Sequence, residues 1–467
     1  MDPLDFLDKQ AQQQVQILRF LIRKQRLVSI DTLLDAFSLS TPTIQKAVMT
    51  LKEKLSLFDE RATLLVLEKT QLQLSLPDTF DLRVFLYESY YAESIDIHLI
   101  DQLYLTRELS ITKLTFDLQV SEASIFRRLK KLNQLLADFD VHYKNKELVG
   151  RSEDLQLFYY SFYMQIYPIK YLAKRFYRES FLQLLTIFES VLIIKFTPIQ
   201  KTKLMIWLSV MERLLDIRIT HRYTKLPDIF FDSRFKQLEQ VFLRFSSRYA
   251  MQWPKEAISW FYLFLQAEGI LPLHENLYHQ WEKMITNLLT ILKVTTKEEG
   301  MIQHLMRIHL YIAYQKMIWQ PQFLGTPRLS DTQPDQFHEL MEEVEAWIPS
   351  RLNTLKWEYL DHEYARIHAF NQQPQQQEVH LTYALMMNDY FLQAETKQLL
   401  TQLSQQLKIK LRDTDCKHAD LLITTETFEL NETQATVYLS VSKWTTYDKD
   451  QLIQLLTTLK RQKGVDV

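Results

Sequence analysis

The apolar positions near the N-terminus follow a pattern that occurs twice. The segment SIDTLLDAFSLSTPTIQKAVMTLKEKL, from Ser29, aligns without a gap with SITKLTFDLQVSEASIFRRLKKLNQLL, from Ser110, at a constant offset of 81 residues. Ser29 falls on Ser110, Ile30 on Ile111, Leu33 on Leu114, Phe37 on Leu118, Leu39 on Val120, Ser40 on Ser121 and Thr43 on Ser124. The match continues through Ile44 and Ile125, Val48 and Leu129, Leu51 and Leu132, and Leu55 and Leu136. Each copy predicts a short amphipathic helix, a turn of a few residues, a hydroxyl side chain placed to cap, and a longer helix with apolar residues at i, i+4, i+7 and i+11. In the first copy Ser40 or Thr41 can cap, with Pro42 at the first or second helical position, where its missing N–H costs nothing; in the second, Ser121 caps.

This is the pattern of a helix-turn-helix. One detail departs from it: the residue before the apolar turn position is Ser38 or Gln119, not glycine. A candidate hairpin follows each long helix, TLLVLEKTQLQLSL from Thr63 and VHYKNKELVG from Val141, so the expectation is two winged helix-turn-helix units, at 1–78 and 79–154.

From about 155 to 370 the chain is dense in Leu, Phe, Tyr and Trp at helical spacing. It is punctuated at Pro198, Pro227, Pro254 and Pro272 and by GTPRLSDTQPDQ from Gly325. Two helical bundles are expected, 155–272 and 273–370. The polar, Gln-rich stretch NQQPQQQE reads as a linker over 371–378. Beyond it, over 379–467, VHLTYALMM, IKLRD, DLLITTE and TVYLSVS read as strands alternating with two helices, which predicts a small α/β domain with a largely parallel sheet. The fold class is therefore mainly α and multidomain.

Composition then removes several functions. Only five glycines occur in 467 residues, so no Gly-rich loop can close backbone N–H groups on a phosphate. The single cysteine, Cys416, excludes an intramolecular disulfide and any site with two cysteine ligands. His274 and His279, and likewise His304 and His309, are spaced i, i+5, one residue too far to share a helical face as metal ligands, and neither a metal nor a cofactor is implied. No convergent nucleophile, base and anion cradle is visible, which argues against an enzyme. No apolar run approaches the roughly 20 residues that span a bilayer, and the start MDPLDFLDKQ lacks a leader pattern, so a cytoplasmic protein without a membrane partner is expected.

The net charge of −2 gives no overall attraction to nucleic acid, so such binding must come from local surfaces. Removing the Ile125, Leu129, Leu132 and Leu136 face leaves Arg127, Arg128, Lys130 and Lys131 on the polar side of the second long helix. Lys144, Lys146 and Arg151 extend the basic surface through the wing, and Ser121 and Ser124 add hydroxyls at the helix start. The first copy offers Thr41, Thr43, Gln45, Lys46 and Thr50. A charged helix face alone is more often merely solvated; the duplication with wings favours DNA.

Two winged units, two helical bundles and a small α/β domain, in that order, resemble the Mga family of Gram-positive regulators over nearly the whole chain. The resemblance implies a transcription regulator, an activator or dual regulator, that binds double-stranded promoter DNA and forms a homodimer through an EIIB-like C-terminal domain. It also implies bundles similar to sugar-phosphotransferase regulation domains (PRDs), with His221 as the best match to a regulatory histidine and His309 and His368 as further candidates, phosphorylated by a phosphocarrier of that system. In catalytic EIIB domains a phosphorylated cysteine follows the first strand; here Met386, Met387, Asn388 and Asp389 stand there, so no phosphoryl transfer is expected from this domain. The alternative within the same resemblance is a PRD-type RNA-binding antiterminator, which the duplicated winged units disfavour.

Overall fold

The computed structural model describes residues 2–23, 27–67, 70–106, 108–215, 223–226, 232–249, 252–273, 275–294, 299–314, 328–348, 354–371, 381–407, 409–416, 418–426, 435–439 and 444–462. It is mainly α and multidomain, with small sheets at the two ends of the chain.

The first winged unit runs α1 (Lys9–Arg23), β1 (Leu27–Ser29), α2 (Ile30–Phe37), α3 (Thr41–Phe58), β2 (Thr63–Leu67) and β3 (Gln71–Ser75). Its antiparallel sheet has the order β1-β3-β2, with Leu64 opposite Leu74 and Val28 opposite Leu72. Alternation in QLQLS turns Leu72 and Leu74 inward, and they are buried, as are Leu33, Ile44, Val48, Leu51 and Leu55 of the helices.

After α4 (Leu82–Leu86) and a π-helical turn at Tyr87–Tyr91 come α5 (Ile95–Thr106), α6 (Ile111–Leu118), α7 (Glu122–Leu136), β4 (His142–Lys144) and β5 (Glu147–Val149). The helical middle consists of α8 (Ser152–Ile166), α9 (Ile169–Arg175), α10 (Glu179–Leu192), α11 (Pro198–Leu215), α12 (Ser233–Tyr249), α13 (Lys255–Ala267), α14 (Glu275–Ile291), α15 (Glu299–Tyr314), α16 (Leu329–Thr332), α17 (Pro334–Trp347) and α18 (Thr354–Asn371). Helix α8 is buried along nearly its whole length and packs on α11, where the Trp207 ring stacks on Phe264 at 4.0 Å. Its buried polar groups are satisfied: Gln156 donates to the Trp207 carbonyl at 2.8 Å, and Glu153 accepts from the Thr224 hydroxyl at 2.8 Å. Helices α13 and α15, on either side of the break at Pro272, pack against each other.

The C-terminal segment forms β6 (Thr382–Met386), α19 (Tyr390–Leu407), β7 (Arg412–Asp413), β8 (Leu421–Thr424), β9 (Thr436–Leu439) and α20 (Thr446–Gln462). All strand pairs are parallel, in the order β7-β6-β8-β9, as the alternation of strand and helix predicts. One face of the sheet, with Tyr383, Leu421 and Ile423, packs on Leu399, Leu400 and Leu403 of α19 and Leu452 and Leu456 of α20.

These elements gather into two compact units that do not follow chain order. The described residues of 2–3, 95–321 and 328–364 form one; those of 4–94 and 365–467 form the other. In the first, α5 is tied to the helical middle: Asp101 accepts from the Tyr163 hydroxyl and from Arg175, both at 2.8 Å, and Arg213 donates to the Tyr104 carbonyl at 2.9 Å. In the second, Tyr447 of α20 donates to the Leu76 carbonyl at 3.0 Å and Arg83 of α4 pairs with Glu426, so the α/β domain is bonded both to the end of the first winged unit and to α4.

Candidate nucleic-acid interface

Both copies of the duplicated segment fold alike. Three residues join the helices in each case, Ser38 to Ser40 and Gln119 to Ser121. Ser38 (φ 50°, ψ 39°) and Gln119 (φ 54°, ψ 38°) both take the left-handed conformation that usually calls for glycine. The backbone of the motif is thus kept where its residue is not. Ser121 caps α7, its Oγ accepting from the Ser124 amide at 3.3 Å, whereas Ser40, in the same backbone position, instead pairs its hydroxyl with that of Thr43 at 2.8 Å.

Burial separates each long helix into two faces. On α7 the inward residues are Ile125, Leu129, Leu132 and Leu136, and the outward ones are Glu122, Ala123, Phe126, Arg127, Lys130 and Gln134. The four cations predicted for DNA fall into two pairs. Arg127 and Lys130 are exposed and make no ion pair among the described residues. Arg128 and Lys131 are half-buried and turn back to one carboxylate: Arg128 Nη1 lies 2.6 Å from Asp96 Oδ1, and Lys131 Nζ 3.0 Å from Asp96 Oδ2. Asp96, in the first turn of α5, is 4% exposed, so this pair of cations fixes α7 against α5.

The wing is held to the same helix. Asn133 of α7 donates to the Tyr143 carbonyl at 3.1 Å and accepts from the Tyr143 amide at 2.5 Å, imitating a strand partner for β4. The two-residue turn between β4 and β5 has positive φ at both positions, Asn145 (52°) and Lys146 (71°), as a tight hairpin requires. Lys144 and Lys146 are exposed at its tip, and the Lys146 carbonyl accepts from the Leu109 amide at 2.9 Å, fixing the tip against the start of the motif. Arg151, at the N-cap of α8, sits 3.9 Å from Glu153 and 3.8 Å from Asp154, so its charge is shared with two acids.

In the first copy, Thr41, Gln45 and Lys46 are exposed on α3 together with Met49, while Thr43 and Thr50 are half-buried. The Thr50 hydroxyl donates to the Lys46 carbonyl at 3.2 Å. Sequence reasoning passed over Phe126, Met49, Asn133 and Asp96. Phe126 and Met49 could have been found from the helical period, which puts them outside. Asp96 gave no signal, because it lies 32 residues from Arg128.

Of the candidate regulatory histidines, His221 lies outside the described residues. His309 is wholly buried on α15, one ring nitrogen 2.7 Å from the Leu305 carbonyl and the other 2.7 Å from the Tyr364 hydroxyl. Burial pushes its pKa down to about 4. His368 is half-buried in the last turn of α18. At the start of α19, where an EIIB cysteine would precede the helix, Asp389 accepts from the Leu392 amide at 2.8 Å and is held bidentately by Arg366 at 2.5 and 2.7 Å. The protein's own carboxylate occupies that helix terminus.

A three-residue turn between paired helices, a capped second helix with an exposed cationic face, and a wing locked to it define a helix-turn-helix, DNA-binding protein. Residues 78–163 match the Mga helix-turn-helix domain. The match lies on the second winged unit and supports a DNA-binding transcription regulator. No curated protein matches the chain. No described helix is long and apolar enough to cross a membrane.

Proposed function

We propose that the protein regulates promoters by laying α7 in the major groove of duplex DNA, with Arg127 and Lys130 on the DNA and Lys144 and Lys146 on flanking phosphates. Helix α3 makes a second, less basic contact through Thr41, Gln45 and Lys46. The observation that carries this reading is the exposure, free of ion pairs among the described residues, of all four cations on one recognition helix and its wing. Two winged units per subunit, in a homodimer built on the C-terminal α/β domain, give a long footprint whose specificity draws on DNA shape as well as base edges. The parallel sheet of that domain supports its EIIB-like reading; Asp389 at the α19 terminus supports a role in assembly rather than phosphoryl transfer.

In this reading any phosphoryl acceptor is His221 or His368 rather than His309. To take a phosphoryl group, with roughly two negative charges, His309 would have to give up both ring hydrogen bonds and leave the core. The reading is tested by anisotropy titrations of promoter-length duplex and of hairpin RNA with the full chain, wild type and Lys144→Ala/Lys146→Ala. Duplex binding that survives RNA competitor, steepens as salt falls and weakens in the variant is expected. Preference for RNA, or no binding by folded protein, would overturn it.

A further inference from the structure

The outward face of α7 carries a group that phosphate binding does not explain. Phe126 is 56% exposed, yet its neighbours on that face are Arg127 and Lys130. A lone exposed apolar residue is ordinary on a protein surface. Here, however, the duplication supplies a second observation. Phe126 is the fifth residue of α7, and the fifth residue of α3, at the matching position 81 residues earlier, is Gln45, also exposed. The two helices enter from turns of the same backbone conformation, so the two side chains hold one geometric position on two readers, immediately before a cation in each, Lys46 or Arg127.

The chemistry available at that position differs. A glutamine amide can accept from N6 and donate to N7 of adenine. A phenyl ring can neither donate nor accept such a bond; against the floor of the major groove, its favourable contact is the C5-methyl group of thymine. The same helix carries Arg127 and Lys130 outward, and the wing bonded to it through Asn133 carries Lys144 and Lys146, all exposed and without ion pairs among the described residues; this charge matches a polyanion better than an apolar protein surface. The geometry points to Phe126 as a specificity-determining residue that reads thymine methyl groups in the half-site of the second winged unit. This rests on the reading that α7 enters the major groove of duplex DNA.

The experiment uses the full-length protein. A random-core duplex library is selected with wild type, Phe126→Ala and Phe126→Gln, and the best wild-type duplex is then made again with deoxyuridine in place of thymidine, which removes only the methyl groups. Burying one methyl corresponds to a change of about fourfold in affinity, so wild type should lose about fourfold per contacted thymine. Phe126→Ala should bind the two duplexes equally, near the wild-type value for the deoxyuridine form. Phe126→Gln should shift the selected base towards adenine. Arg127→Ala serves as control: it should weaken both duplexes by the same factor and preserve their ratio. Because Phe126 is exposed, the helical circular dichroism of the variants should match wild type. If wild type binds duplex but does not distinguish the two forms, if Phe126→Ala keeps the wild-type ratio, or if the selected site holds no thymine, the methyl contact is refuted while DNA binding stands. If folded wild type selects no duplex, the DNA reading fails and the proposal falls with it.

Discussion

The split of the α7 cations into an outward and an inward pair predicts that two double substitutions of equal formal charge will act on different properties. In Arg127→Ala/Lys130→Ala the lost charges face solvent and have no acid partner among the described residues, so stability should change by less than about 0.5 kcal/mol. Two phosphate contacts fewer should flatten the dependence of log K on log salt by about 1.8, so the affinity lost between 50 and 200 mM salt should be about tenfold less than for wild type. In Arg128→Ala/Lys131→Ala the reverse is expected. Asp96, 4% exposed, loses both cationic partners and remains as a buried carboxylate without a charged neighbour on α7. Breaking a fully buried pair costs about 3–5 kcal/mol, but these cations are 31% and 42% exposed, and solvent screening reduces the expected loss to about 2 kcal/mol. Its salt slope should stay within about 0.5 of wild type wherever the protein is folded. Anisotropy titrations over a salt series, paired with urea unfolding of the same preparations, read both quantities. Equal flattening of the slope by the two variants, with no stability loss in the second, would refute the assignment of Arg128 and Lys131 to helix positioning.

Two further outcomes follow from the fold. His309 has its pKa depressed from an ordinary value near 6.5 to about 4, so the unfolded chain binds a proton there before the folded one does; the associated stability, up to about 3 kcal/mol, is complete above pH 6.5 and is lost as pH falls towards 4. Urea midpoints at pH 7 and pH 5 should therefore diverge more in wild type than in His309→Gln, and identical pH slopes in the two would sink the assignment. At the wing tip, Lys146 holds φ 71°, where a side chain costs about 1 kcal/mol or more and glycine does not. Lys146→Gly should leave the thermal midpoint unchanged or raised, the relief being partly offset by the freer unfolded chain, while flattening the salt slope by about 0.9. An unaltered slope would show that the tip does not touch phosphate.

The sequence exposed the duplicated motif and both wings because a half-buried helix or strand must alternate its apolar residues at a fixed period, and that period survives every change on the outer face. Ile44, Val48, Leu51 and Leu55 and their counterparts Ile125, Leu129, Leu132 and Leu136 are buried as the spacing requires. The parallel C-terminal sheet was legible for the same reason. Glycine at the turn was the wrong signal to demand, since the left-handed residue is required but Ser38 and Gln119 supply it, at an energetic cost a residue pattern does not display. What stayed hidden were pairings across the chain. Neither Asp96 with Arg128 and Lys131, nor Asn133 with the Tyr143 backbone, nor His309 with Tyr364 has a periodicity, and each depends on which elements the tertiary fold brings together.

The same distinction explains how a chain of net charge −2 can carry a DNA-binding surface. Counting cations along α7 would overstate the proposed binding face twofold, because half of them pair with Asp96 on α5. A cation engaged in this way adds little to the phosphate-dependent affinity; its pairing with Asp96 adds to the packing of Ile125, Leu129, Leu132 and Leu136 in holding α7 in place. The wing obeys the same division: Asn133 spends its whole side-chain amide on the Tyr143 backbone, and Lys144 and Lys146 at the tip remain free of ion pairs among the described residues. Helix α3 keeps the backbone of the motif, but over 41–51 it carries Thr41, Gln45, Lys46 and Met49 outward, one cation among neutral groups. Affinity should therefore be concentrated in the second unit, with the first contributing mainly discrimination, since a neutral face gains little from a phosphate backbone and must find its free energy at the base edges.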